Sequence, residues 1–378
     1  MTAGEPKKSD TITTRLLDLT TEYAAIDAVS GHEHELVTRL ATDLQPYCDS
    51  VAVDAFGNVI GTRTGPESVP SLMIAAHSDE IGAVVKAIEP DGAIRFEPIG
   101  GVLETLLVGR AVRVAGINGV IGSRAGHITP IEERRVAPPM NDLYVDVGCD
   151  SPAGVADLGI RTGDPIAYDA PVRRLGTSNR ISGKAIDNRI GCALVVELAK
   201  ALHGKALGCT VHFVITVQEE VGLRGAQMVT HRLHPTAAII VDTMPSGGTP
   251  DVSSTRHLTM EIGKGPVLTL MSQSRSGGAI AQPGMLRFLE RTATDNHITY
   301  QRALFVGGNS DAAAVHLVRS GIPTGILNLA RRYSHSPVET LDLNDASALF
   351  TWLQASAEAF TAETDLSFLG ADSLIDQA

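Results

Sequence analysis

Apolar positions along the chain follow two rhythms. In the first, Leu16, Leu17, Leu19, Tyr23 and Ile26 recur at helical spacing behind Thr11, and a second helix is predicted from His32 to Leu44. Phe56-Gly57-Asn58 reads as a turn, and the continuous apolar run Ser71–Ala76 (SLMIAA) as a buried strand. Between Ile81 and Tyr168 the rhythm changes to short β-like pieces (AVVKAI, AIRFEPI, AVRVAG, GVIGS, LYVDVG, DPIAYDA) punctuated by Gly and Pro, with one short helix near Val155–Leu158. Closely spaced short strands of this kind predict a small barrel or sandwich. From about Asn179 strands and helices alternate again. Helices are predicted over Asp187–His203, Leu223–Leu233, Pro283–Asn296, Ser310–Ser320 and Ala346–Thr361, and strands over Val211–Val217, Ala237–Val241, Val267–Leu270 and Pro323–Leu329. Alternation predicts an α/β fold: a mostly parallel sheet covered by helices on both faces, with a small β-barrel-like domain inserted into it. The expected division is 10–79 with 178–365 as one discontinuous domain, 80–177 as the insert, and 1–9 and 366–378 as flexible tails.

Composition narrows the possible partners. The chain has 378 residues, 43% of them hydrophobic and 20% charged, which excludes a disordered chain. Lys plus Arg is 31 and Asp plus Glu is 43, a net charge of −12, so neither nucleic acid nor an anionic membrane is expected as a main partner. The four cysteines, Cys48, Cys149, Cys192 and Cys209, form no CxxC pair and suit a reducing compartment. No apolar stretch follows Lys7 and Lys8 as a secretory leader requires, and no apolar run reaches the roughly 18 residues of a membrane helix. A cytoplasmic location is therefore expected.

In open α/β sheets, sites form beyond the carboxyl ends of the strands. His77, Ser78 and Asp79 follow SLMIAA; Gln218, Glu219 and Glu220 follow VHFVITV; Asp242 follows AAIIV; His335 lies beyond PTGILNLA; and Asp187 opens a helix. Each alone has a bland reading. His77-Ser78-Asp79 is a turn, Asp187 a helix cap, Glu219-Glu220 first-turn carboxylates, Asp242 a turn residue and His335 a loop cap. Together, two His and three carboxylates at strand ends match a two-metal hydrolase, with donors that suit zinc or cobalt. Two divalent cations, the carboxylates of Asp187, Glu220 and Asp242, and one bridging hydroxide sum to zero charge, so the cluster can be buried. Glu219 then stands beside the ligands as a general base. There is no GxSxG elbow, no GxGxxG and no phosphate-binding P-loop. Gly307-Gly308-Asn309-Ser310-Asp311 reads as a turn capped by Ser310 or Asp311, or as the lining of a substrate pocket.

The segments AAHSDEIG (75–82), GKAIDNRIG (183–191), VITVQEEVGLRGA (214–226), IIVDT (239–243), GGNSDAAAVHL (307–317) and RYSHSPVE (332–339) resemble the tetrahedral (TET) aminopeptidases. These belong, with the glutamyl and deblocking aminopeptidases, to the two-metal metallopeptidases of clan MH. The resemblance covers about residues 12–360. It implies a metalloaminopeptidase that cleaves N-terminal residues from short peptides with a free N-terminus. His77, Asp187 and Asp242 would hold one divalent metal, and Asp187, Glu220 and His335 the other, with zinc the first choice and cobalt the second. Glu219 would be the catalytic base and Asp79 would orient His77. The inserted domain would dimerise, and dimers would assemble into a dodecamer. Ser78 and Ser334 stand where many members carry Met, and Asn309 where Gly is usual, which bears on substrate preference. The competing readings are a metal-dependent deacylase acting on blocked amino acids, and a non-catalytic peptide-binding scaffold.

Overall fold

The computed structural model describes residues 11–275 and 277–370; the polar segment expected at 1–9 and most of the expected tail at 366–378 lie outside them. The fold is α/β. A nine-stranded sheet has the order Ser50–Val53, Val59–Arg63, Thr210–Thr216, Ser71–His77, Ala237–Pro245, Thr324–Arg331, Val267–Ser274, Gly277–Ile280, with Gln301–Val306 also paired to Val267–Ser274. Its central four strands, from Thr210–Thr216 to Thr324–Arg331, are parallel, so their carboxyl ends share one edge.

Side chains alternate along these strands into two separate cores. Leu72, Ile74, Phe213, Ile239 and Leu327 pack on one face against the helices Ile12–Ala25, His34–Leu44, Ile186–Leu202 and Leu343–Ala359. Met73, Ala75, Val214, Ile240 and Ile326 face the other way, onto the helices Arg224–Leu233 and Ala312–Val315. Continuous apolar runs are the mark of strands buried on both faces, because each face needs its own apolar set.

Six strands between 82 and 168 close into a barrel, in the order Gly82–Ile88, Ile94–Ile99, Tyr144–Asp146, Ile117–Gly122, Ala111–Val114, Pro165–Tyr168. Its core is aliphatic apart from Phe96 and Tyr168. The barrel is anchored to the large sheet by buried charge. Lys184, 1% exposed, donates to Asp27 (2.8 Å) and to both oxygens of Glu80 (2.9 and 3.0 Å), and Arg189 donates to Glu80 at 3.1 Å. Arg113 of the barrel pairs with Asp27.

Several expectations are corrected. The helix predicted over Ser310–Ser320 is a single turn, Ala312–Val315, after which the Leu317 and Val318 amides bond three residues back and the chain continues as turns. The strand predicted over Val267–Leu270 continues to Ser274, and Gly277–Ile280, Gln301–Val306 and Glu339–Asp342 are strands that patterning did not reveal. Gln301–Val306 opens on Gln301 and Arg302 and buries only Ala303, so its apolar run, 303–306, is short and largely exposed. Leu366, in the stretch expected to be a tail, packs on the core, and its carbonyl accepts from Gln282 at 2.7 Å.

Candidate metal centre

The residues singled out in the sequence converge at the shared carboxyl edge. His77 ends its strand, and its Nε2 lies 3.3 Å from Asp187 and 3.6 Å from Asp242. Across the same carboxylate of Asp187, Nε2 of His335 lies 3.7 Å from Asp187 and 3.5 Å from Glu220. Ligand-type atoms of His77, Asp187 and Asp242 lie within 4.8 Å of one another, as do those of Asp187, Glu220 and His335, and those of His77, Glu219 and Glu220. Two of these sets share Asp187.

Local structure holds each donor. Gln218, with φ 56°, turns the chain out of its strand and delivers Glu219 and Glu220. Asp79 fixes that turn: its carboxylate accepts from the Glu219 amide (2.9 Å), the Glu220 amide (3.1 Å) and the Ser30 hydroxyl (2.6 Å). Asp79 also lies against His77 at 3.4 Å, although the ring's closer partner is the Asp79 backbone carbonyl at 3.2 Å. Asp187 is not a helix cap. Regular helix begins after Asn188, whose Oδ1 accepts from the Gly191 amide at 3.1 Å, while Asp187 faces the cluster. At His335, Nδ1 donates to the Gly101 carbonyl of the segment following a barrel strand, at 3.2 Å. A carbonyl can only accept, so Nε2 is left facing Glu220 and Asp187.

Further residues of the cluster were not among the expected metal ligands or bases. Glu339 is buried and accepts from the amides of Asp187 and His335, both at 2.9 Å. Arg331, 2% exposed, lies 2.8 Å from Asp187 and pairs with Glu339. Asp311, expected as a cap, is buried and accepts from the Thr216 hydroxyl at 2.5 Å. The signal for Glu339 was its place in RYSHSPVE; Arg331 and Asp311 offered only their polarity next to apolar runs.

Electrostatics test whether cations fit. Burial pushes the Glu220 carboxyl up to about 8 against the opposing charge of His335. Burial also raises Asp242, and raises Glu219 well above the usual carboxylate range. Asp187 is held well below it, because Arg331, His335 and His77 overcome its burial. Burial opposes a charged His335, but Asp187 and Glu220 raise it to about 9. Carboxylates crowded out of water with one neighbouring arginine are short of positive charge, which divalent cations would supply. The donors are imidazole nitrogen and carboxylate oxygen, a set that suits zinc. The residues therefore fit metal.

The cluster forms one wall of a cavity of about 780 Å³. Ser334 and Asn309, two of the three departures from the resembled pattern, line it; Ser78 instead donates to the Thr216 carbonyl at 2.9 Å.

A mostly parallel sheet with acids and histidines at its carboxyl edge, beside an open cavity, is the arrangement of a metal-dependent hydrolase. Residues 57–351 match the M42 glutamyl aminopeptidase family, and the chain belongs to that family. It is therefore a peptide-bond hydrolase of the aminopeptidase type. It is 30% identical to the glutamyl aminopeptidase of Lactococcus lactis over 92% of this chain and 97% of that one. An aminopeptidase from the archaeon Desulfurococcus kamchatkensis superposes with a TM-score of 0.89 at 33% identity, covering 96% of this chain and 99% of that one. The Pyrococcus horikoshii TET1 peptidase, which can assemble into a tetrahedron or a large octahedral shell, gives 0.80 at 29% identity over 91% and 100%. Among the described residues no helix is long and apolar enough to cross a membrane.

Proposed function

We propose that the protein is a two-metal aminopeptidase that removes N-terminal residues from short peptides, with Glu219 as general base. One observation carries the reading: two sets of three donors share Asp187 at the wall of one open cavity. His77, Asp187 and Asp242 would hold one metal, and Asp187, Glu220 and His335 the other, zinc being favoured and cobalt the alternative. When bound, the metals supply Lewis acidity toward the scissile carbonyl and make water a nucleophile at neutral pH. Glu219 takes the proton of the attacking water and hands it to the leaving amine. Asp79 holds Glu219 by its backbone, so the base and the ligand Glu220 keep a fixed relation.

The deacylase reading needs a free cation for the substrate carboxylate. Arg331 is the one arginine or lysine among the described lining residues, and Asp187 and Glu339 already engage it. A cytoplasmic homo-oligomer, with the barrel as dimer contact and a dodecamer as the larger form, is part of the proposal. The barrel contact is supported by exposed Ile128 (73%), Ile131 (72%) and Val136 (71%) on the barrel segment.

The test is a mass-spectrometric digest of mixed peptides, half with free and half with acetylated N-termini, by protein stripped with chelator and restored with zinc or cobalt. One-residue ladders are expected from free N-termini only, and only with metal. Release of acyl groups would favour the deacylase, and intact peptides under both metals would favour the scaffold.

A further inference from the structure

Outside the metal cluster, the described residues that line the cavity carry no charge. Its charged or ionisable members are His77, Asp187, Glu219, Glu220, Asp242, Arg331 and His335, all within the centre described above. The remaining wall is apolar or neutral. Leu223, Gln227, Phe305, Ala313, Ala314 and Leu317 belong to it. Glycines keep this part open and the Phe305 ring in place: a Cβ at Gly308 would sit 2.5 Å from that ring. The other polar lining groups, Thr243 and Asn309 among them, are neutral.

Arg331 does not supply an anion site. One guanidinium nitrogen lies 2.8 Å from Asp187 and donates to Ser334 at 2.9 Å, and the other pairs with Glu339. Asp187 and Glu339 already engage this guanidinium, so its charge is matched before a substrate carboxylate arrives. Nor do the described lining residues outside the cluster include an acid to receive a lysine. A charged side chain in this wall would give up water without gaining a partner, which is unfavourable, whereas an apolar one gains from burial.

We propose that this cavity receives an uncharged, apolar N-terminal side chain, such as leucine, methionine or phenylalanine, and selects against glutamate and lysine. The assignment rests on the aminopeptidase reading, and it differs from the glutamyl preference in the family's description.

The test has two arms. In the first, metal-restored protein digests an equimolar mixture of Leu-Ala-Ala, Met-Ala-Ala, Phe-Ala-Ala, Glu-Ala-Ala and Lys-Ala-Ala, and loss of each is followed by mass spectrometry. The ratio of kcat/KM for the apolar peptides over Glu-Ala-Ala and Lys-Ala-Ala is expected to be about tenfold or more. Equal or faster loss of the glutamyl or lysyl peptide would overturn the proposal. In the second arm, calorimetry measures binding of the same peptides to metal-loaded Glu219→Gln protein. Tighter binding of Leu-Ala-Ala supports the pocket assignment by itself, even if the wild-type protein cleaved nothing and the aminopeptidase reading fell. Equal binding of all five overturns the assignment.

Leu317, 71% exposed at the mouth, can be changed with little risk to the fold. Leu317→Lys is expected to raise the glutamyl-to-leucyl ratio, and Leu317→Glu the lysyl-to-leucyl ratio, each by roughly fivefold. Unchanged ratios in both variants would remove Leu317 from the pocket and sink the assignment of this wall.

Discussion

Replacing Gly101 with alanine probes how far the barrel segment governs the second metal set. An added Cβ would lie 2.4 Å from Nδ1 of His335 and 2.8 Å from its Cε1. Ordinary contacts need about 3.5 Å, so the ring must retreat by about 1 Å. That retreat breaks the Nδ1–H bond to the Gly101 carbonyl, now 3.2 Å, and swings Nε2 away from Glu220 and Asp187. Losing the partner that orients a ligating histidine costs roughly 10–100-fold in metal affinity, or about 1.4–2.7 kcal/mol. Calorimetric titration of stripped protein with zinc should show two sites in the wild type and one weakened by that factor in the variant. Gly101 is exposed, so the melting temperature of the metal-free protein should barely move. Gly126→Ala, where an added Cβ meets nothing within 4 Å, is the control. Two sites of unchanged affinity in Gly101→Ala would refute the idea that this segment positions His335.

Three further outcomes follow from the geometry. Glu219→Gln should lower kcat by roughly 10²–10⁴-fold while bound zinc, counted by mass spectrometry of metals, stays at the wild-type level; substantial turnover would remove Glu219 as the base. Lys184→Met leaves Glu80 and Asp27 without a shared buried cation and should destabilise the protein by about 3–5 kcal/mol, seen as a lower denaturation midpoint; an unchanged midpoint would show that Arg189 and Arg113 suffice. Asp27 is opposed by its burial, yet Arg113 and Lys184 hold its carboxyl below the usual 3.8. A group lowered in the folded state stabilises fully above its unfolded value and loses that stabilisation as pH falls through the folded one. Asp27→Asn should therefore be less stable than wild type near neutral pH, with the gap closing below pH 3.8. A gap that stays constant on acidification would contradict this.

The alternation of elements and the polar residues after apolar runs were legible because burial on both faces of a parallel strand demands continuous apolar sequence, and because such strands place their next residues at one edge. His77, Glu219, Glu220, Asp242 and His335 were singled out this way, and Asp187 as the opening of a helix. The RYSHSPVE and AIDNRIG segments then narrowed a cluster that composition alone would have left as turns and caps. What the sequence could not decide depends on approach from distant segments. Asp79 sits beside His77 in the chain, but its carboxylate is engaged with amides at Glu219 and Glu220, 140 and 141 positions away. Glu339 bonds the amide of Asp187 across 152 positions, and Gly101 meets His335 across 234. Gln301–Val306 escaped because its apolar run is only the four residues 303–306, behind Gln301 and Arg302. A sequence records which groups must leave water; only tertiary packing decides which of them share the space, and with it which acid binds, which accepts a proton and which holds the others in place.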